Sequence, residues 1–119
     1  MTTKQKNFTG SLHRTRGDTW KFQDLAFEIA TGSLQDADCV VSMEIRRYRD
    51  GATIALINSA LIGGVTVTGT DSAEFLFDAA TTATIDAVQV WYQIKVEFTD
   101  TSEVYTPWEG LIEVRDWAA

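Results

Sequence analysis

The feature that most constrains this chain is a run of strict apolar–polar alternation toward its C-terminal end. Val88, Val90, Tyr92, Ile94, Val96 and Phe98 share one parity, whereas Gln89, Trp91, Gln93, Lys95 and Glu97 share the other. Side chains on a β-strand alternate faces with a period of two, so one face of this segment suits a core and the other does not. Shorter runs of the same kind recur along the chain, each closed by turn residues, which is the pattern of an all-β domain. Val41, Met43 and Ile45 alternate with Ser42, Glu44 and Arg46. Ile54 and Leu56 lie on a return strand, Val65 to Thr68 form another, and Ala73 to Asp78 carry Phe75 and Phe77 inward. Ile112 and Val114 complete the last strand.

Turn chemistry separates these runs. Arg16-Gly17-Asp18 opens the fold, and Gly63-Gly64 and the stretch Gly69 to Ser72 turn the chain again. Asp50-Gly51 reads as a type I′ hairpin, whose two central residues need positive φ. Trp20 and Phe22 differ in parity from Leu25, Phe27 and Ile29, so an extra residue is required near Gln23-Asp24, as a bulge or bend. Pro107 and Gly110 interrupt the last strand, which suits a sheet edge or a bulge. Residues 79–86 alone have helical character, and their threonines limit it to a single turn. The expected fold is one antiparallel, Ig-like β-sandwich over residues 1–119, with about seven or eight strands and that one helical turn; a small barrel is the alternative.

The net charge is -7, which disfavours non-specific binding to nucleic acid. Its distribution is uneven. Lys4, Lys6, Arg14, Arg16 and Lys21 face only Asp18 within the first 21 residues, so a basic arm, flexible over residues 1–10, precedes an acidic body. Arg14 and Arg16 would let that arm dock on the acidic face of a neighbouring copy; a solvated, frayed terminus is the other reading. No apolar run approaches the roughly 20 residues that span a bilayer, and no apolar stretch follows the polar start, so neither a membrane segment nor a secretory signal is expected. A single cysteine, Cys39, cannot form an internal disulfide and suits folding in a reducing cytosol.

The inventory for chemistry is poor. His13 and Cys39 lie far apart, with no third group to orient a nucleophile pair. Structural zinc needs four Cys or His ligands, and the chain holds one of each. Asp36 and Asp38 read as a polar turn, since no EF-hand spacing surrounds them. No glycine-rich loop leads into a helix to hold phosphate. Arg46, Arg47 and Arg49 are clustered, but strand alternation would place Arg46 opposite the other two. No catalytic, cofactor-binding or metal-binding residue is therefore assigned, and the chain reads as a protein without enzymatic activity. The aromatic residues point instead to contacts. Trp91 falls on the polar side of the longest strand, and tryptophan, tyrosine and arginine dominate binding hot spots. Trp91, Tyr105 and Trp108 are candidates for an intersubunit or ligand face, with outward Leu111 beside them, or for cover by a second sheet or the N-terminal arm. Trp117, beyond the last strand, tucks back over the sandwich or reaches a neighbour.

Taken in order, Gly17-Asp18-Thr19-Trp20-Lys21-Phe22, Met43-Glu44-Ile45-Arg46 with its Asp50-Gly51 turn, Gly64-Val65-Thr66-Val67-Thr68, the 79–86 connector, the strand from Tyr92 to Thr99, and Gly110-Leu111-Ile112-Glu113-Val114 form a sequence of motifs. That order resembles small phage and prophage tail proteins, in particular the N-terminal β-sandwich domain of the siphophage baseplate upper protein. The resemblance covers roughly residues 16–115. It implies a structural or assembly protein of a virion tail, made in the bacterial host cytoplasm. Its partners would be other tail proteins and copies of itself, with no nucleic acid, membrane or cofactor involved. Four tryptophans, at 20, 91, 108 and 117, and the lack of a following domain depart from the pattern. A module standing alone would find its partners non-covalently. A carbohydrate- or receptor-binding β-sandwich is the alternative expectation, because sugars also stack on exposed aromatic rings.

Overall fold

The computed structural model describes residues 12–26, 32–60 and 62–115. The strands are β1 (Leu12–Thr15), β2 (Trp20–Ala26), β3 (Cys39–Arg46), β4 (Thr53–Asn58), β5 (Val65–Val67), β6 (Ser72–Phe77), β7 (Gln89–Phe98) and β8 (Glu103–Arg115). A five-residue helix, α1 (Ala79–Ala83), joins β6 to β7. Two sheets result, one ordered β1-β8-β7-β3-β4 and the other β2-β6-β5. This partition is that of an immunoglobulin-type sandwich, in which the B, E and D strands form one sheet and G, F, C and C′ the other. The expected all-β sandwich with one helical turn is the fold of this chain.

One pairing departs from the expected antiparallel scheme. β1 lies parallel to β8, with Leu12 opposite Ile112 and Thr15 opposite Arg115. After β1 the chain turns at Arg16 and crosses to the other sheet as β2, so β1 meets β8 running in the same direction. The crossing is firmly tied. Arg16 donates from Nε to Ile85 O at 2.6 Å and from Nη2 to Ala87 O at 2.9 Å. The buried Thr82 hydroxyl donates to Asp18 O at 2.6 Å and accepts from Gly17 N at 3.1 Å. Trp20 Nε1 donates to Thr15 O at 2.9 Å. The sandwich therefore lacks a disulfide but has its first turn bound to the end of α1.

The core lies between the sheets. Trp20, Phe75 and Phe77 from the small sheet meet Met43, Ile45, Tyr92, Ile94 and Ile112 from the large one, all at most 1% exposed. Each such side chain contributes about 1.5–3 kcal/mol relative to exposure. The β2–β6 register slips between Phe22 and Leu25, so the parity switch is a bulge, as expected. Phe27 and Ile29 lie outside the described residues, as does the 1–10 arm with Lys4 and Lys6.

Two local expectations are corrected. Asp50-Gly51 is not a type I′ turn, because neither residue takes positive φ. The β3–β4 connection is longer, closed by Arg47 N to Ala52 O at 3.3 Å and Gly51 N to Tyr48 O at 3.0 Å, and this relieves the need for such a conformation. Arg47 and Arg49 thus sit in the connection, and strand alternation does not separate them from Arg46. Of the two alternatives for the last strand, the structure takes the bulge: β8 runs between β7 and β1 and is not an edge. Pro107 sits in a bulge, where Ile94 pairs with Trp108 but Val96 pairs with Tyr105. Gly110 leaves room for the Tyr92 ring, whose Cε1 would lie 3.2 Å from an added Cβ.

Candidate functional site

The outer face of the five-stranded sheet gathers the side chains that face away from the core. Two rows cross it. Leu111, Trp91 and Arg46 are register partners in one, and Glu109, Gln93, Glu44 and Leu56 in the next. Trp91 is half-buried, and Leu111 and Leu56 are 39% and 40% exposed. The Arg49 guanidinium lies 5.7 Å from the Trp91 ring centroid and 3.5 Å from Glu109 Oε1. Cross-strand packing of this kind orients the Trp91 ring without hiding it.

Charge on this face is internally ordered. Arg46 Nε and the Thr53 hydroxyl both donate to Glu44, each at 2.5 Å. Burial pushes the Glu44 carboxyl upward, but the Thr53 hydroxyl and the Arg46 guanidinium outweigh it and hold the carboxyl below its usual range. Two polar atoms on the face have no hydrogen-bond partner among the described residues, Trp91 Nε1 and Gln93 Oε1, and both are buried. An unmade hydrogen bond of this sort costs about 1–3 kcal/mol.

The sequence-derived interface residues divide. Trp91 and Leu111 are brought together as direct cross-strand neighbours. Trp108 is not with them: it is 5% exposed and points into the core opposite Ile94. Its parity, shared with Ile112 and Val114, carries that signal. Tyr105 is also turned inward, because the bulge at Pro107 reverses the alternation. Its ring meets Phe98 edge-on at 6.4 Å, and its hydroxyl donates to Glu103. Arg14 lies over the Phe22 ring at 4.5 Å, bridging the two sheets, and burial lowers its guanidinium from the ordinary value. Arg16 is engaged with the carbonyls before β7, so neither arginine stands out as an arm. Trp117 lies outside the described residues. Sequence reasoning missed Arg49 as a partner of Trp91, since its contact depends on the course of the β3–β4 connection.

Cys39, at the far end of β3, is a poor nucleophile in this setting. Burial, then the nearby Asp38 and Asp36 carboxylates, push its thiol up to about 11. The thiolate is the reactive form. Alkylation by iodoacetamide at neutral pH is therefore expected to run at least about tenfold slower than for an unperturbed thiol. Its rate should still be climbing at about pH 9.5, where an ordinary thiol levels off; initial rates measured across that range check this, and an early plateau would contradict it.

Among the described residues, no group of three or more His, Cys, Asp or Glu side chains is placed to hold a metal ion. No helix there is long and apolar enough to cross a membrane. Compared with protein-family models and with curated proteins, the chain matches none.

Proposed function

We propose that this protein is a structural or assembly component of a phage or prophage tail, of baseplate type, acting through protein–protein contacts and no chemistry of its own. Its partners are other tail proteins and copies of itself, and its place is the virion. The order of strand motifs supports the tail assignment. The observation that carries the contact role is the outer sheet face, where half-buried Trp91 lies beside its exposed register partner Leu111. An aromatic anchor beside exposed apolar surface fits a binding hot spot. The alternative, a carbohydrate-binding module, is less well supported here. Arg49 lies over the Trp91 ring, the flat surface against which a sugar would stack.

Trp91→Ala is expected to weaken assembly and to leave the fold intact. Within the domain it removes a partly exposed ring and its contact with Arg49, and such a cation–π pair contributes about 0.5–1 kcal/mol at exposed sites. Association is read from solution mass by light scattering, and folding from circular dichroism. An unchanged assembly mass in the Trp91→Ala protein would remove the face from the interface.

A further inference from the structure

The two flanks of the sandwich, where its sheets end, are built differently. On one flank the edge strands are β1 and β2, which include His13, Arg14, Lys21 and Asp24. Charged side chains on edge strands discourage pairing with another chain. On the other flank the edge strands are β4 and β5, brought together by a bridge between Asn58 and Gly64. Residues 51–70 include both of these strands and hold no charged side chain and no proline, the longest uncharged run in the chain. Only a register shift near Thr53 guards β4.

The uncharged flank is also apolar. Leu56 of β4, Ile62 of the connection and Leu76 of β6 are 40%, 56% and 40% exposed. All three line one open groove of about 330 Å³, together with the buried Ile57 and Phe77. Asp78 is the one charged residue lining it, and its carboxylate accepts from Thr81 N at 2.7 Å at the start of α1. Glu44, the register partner of Leu56, is paired with Arg46. The backbone edge is open as well. Asn58 N donates away from β3 to Gly63 O at 3.0 Å, so Leu56, two residues earlier, turns its N–H and carbonyl toward the same side. No strand pairs with it there among the described residues.

We infer that two copies of this chain pack flank to flank about a two-fold axis, with Leu56, Ile62 and Leu76 of each covering those of the other. The inference rests on the assembly reading above and names its occupant: a second copy of this chain. A two-fold axis sets a patch against itself, so a charged patch meets its own sign. In a chain of net charge -7, the β4–β5 flank faces its copy without that repulsion, whereas the β1–β2 flank brings like charges together. Apolar side chains gathered on an uncharged edge then gain by leaving water. Such a contact closes on itself and yields a dimer. Any larger assembly therefore uses a second surface, and the Trp91 face is left open for it.

The test uses the full chain and two variants at one exposed position, Ile62→Lys and Ile62→Asp, with folding checked by circular dichroism. Association is followed by sedimentation velocity over a range of concentration at low and high salt. The wild type is expected to reach twice its 13.2 kDa mass, and more readily at high salt, where the repulsion between two acidic bodies is screened. Each variant alone should dimerise at least about tenfold more weakly, because a like-charged pair is driven into an apolar contact. An equal mixture of the two should form a heterodimer, which a poorly folded variant could not do. Leu76→Lys, on the outer side of β6, should weaken the dimer in the same way. A wild type that stays monomeric at high salt overturns the inference and leaves the flank to a strand from another protein. Variants that keep the wild-type mass overturn it too. If Trp91→Ala then separates the copies, the sheet-face reading stands and the flank contact falls.

Discussion

Replacing Trp108 by alanine is expected to lower the free energy of unfolding by about 3–5 kcal/mol, the range for removing a large aromatic side chain from a core. The ring is 5% exposed and faces inward from the middle of β8 opposite Ile94. Its neighbour Pro107 is also buried and sits in the bulge. With the local backbone so constrained, the strand has little freedom to collapse into the space left behind. Single domains have about 5–15 kcal/mol of stability in total, so the variant approaches the limit of folding at all. Urea denaturation followed by fluorescence measures the loss. Near-wild-type stability would mean that Trp108 lies on the surface, as its grouping with Trp91 and Tyr105 in sequence suggests. The contrast with Trp91→Ala is the informative part: the inner tryptophan should cost stability, the outer one association.

Gly64→Ala should destabilise the domain by about 2–5 kcal/mol, combining left-handed backbone strain with overpacking. Gly64 has φ +92°, and an added Cβ would lie 2.7 Å from Ile57 Cγ2 and 3.0 Å from the Leu76 carbonyl oxygen. That oxygen belongs to β6 backbone, which is held in place by Leu76 N donating to Gly64 O at 2.8 Å. The adjacent glycine supplies the control. Gly63 has φ +83° but nothing within 4 Å of a Cβ, so Gly63→Ala should cost only the conformational part, about 1–2 kcal/mol. Equal losses in thermal or urea melts of the two variants would show that backbone conformation, and not the approach to β6, decides the requirement.

Much of this architecture is legible in the order of residues, because a period of two is difficult to mistake over a strand as long as β7. The alternation through β3, the inward Phe75 and Phe77 and the bulge between Phe22 and Leu25 all follow from it. What escapes is set by contacts distant in sequence. β1 has four residues and no recognisable alternation; its place depends on β8, a hundred residues away. Thr82 reads as a poor helix former, yet its hydroxyl joins α1 to the first turn. The type I′ reading of Asp50-Gly51 failed because dipeptide preference does not specify the length of the connection. Of the candidate site, Trp91 and Leu111 are legible from parity. Tyr105 is not, because the bulge at Pro107 inverts the pattern between it and Trp108.

The parallel pairing of β1 with β8 has a mechanical consequence. The chain enters β1 at Leu12 and leaves β8 at Arg115, and the register places these residues at opposite ends of the shared ladder. Tension applied along the chain therefore slides the two strands lengthwise past one another. The rungs between them bear load together, instead of parting one after another as at a zipper's open end. Resistance to such a pull is governed by the rate at which the pair slips, a quantity distinct from equilibrium stability. A domain pulled from its two ends would draw its resistance from this short strand.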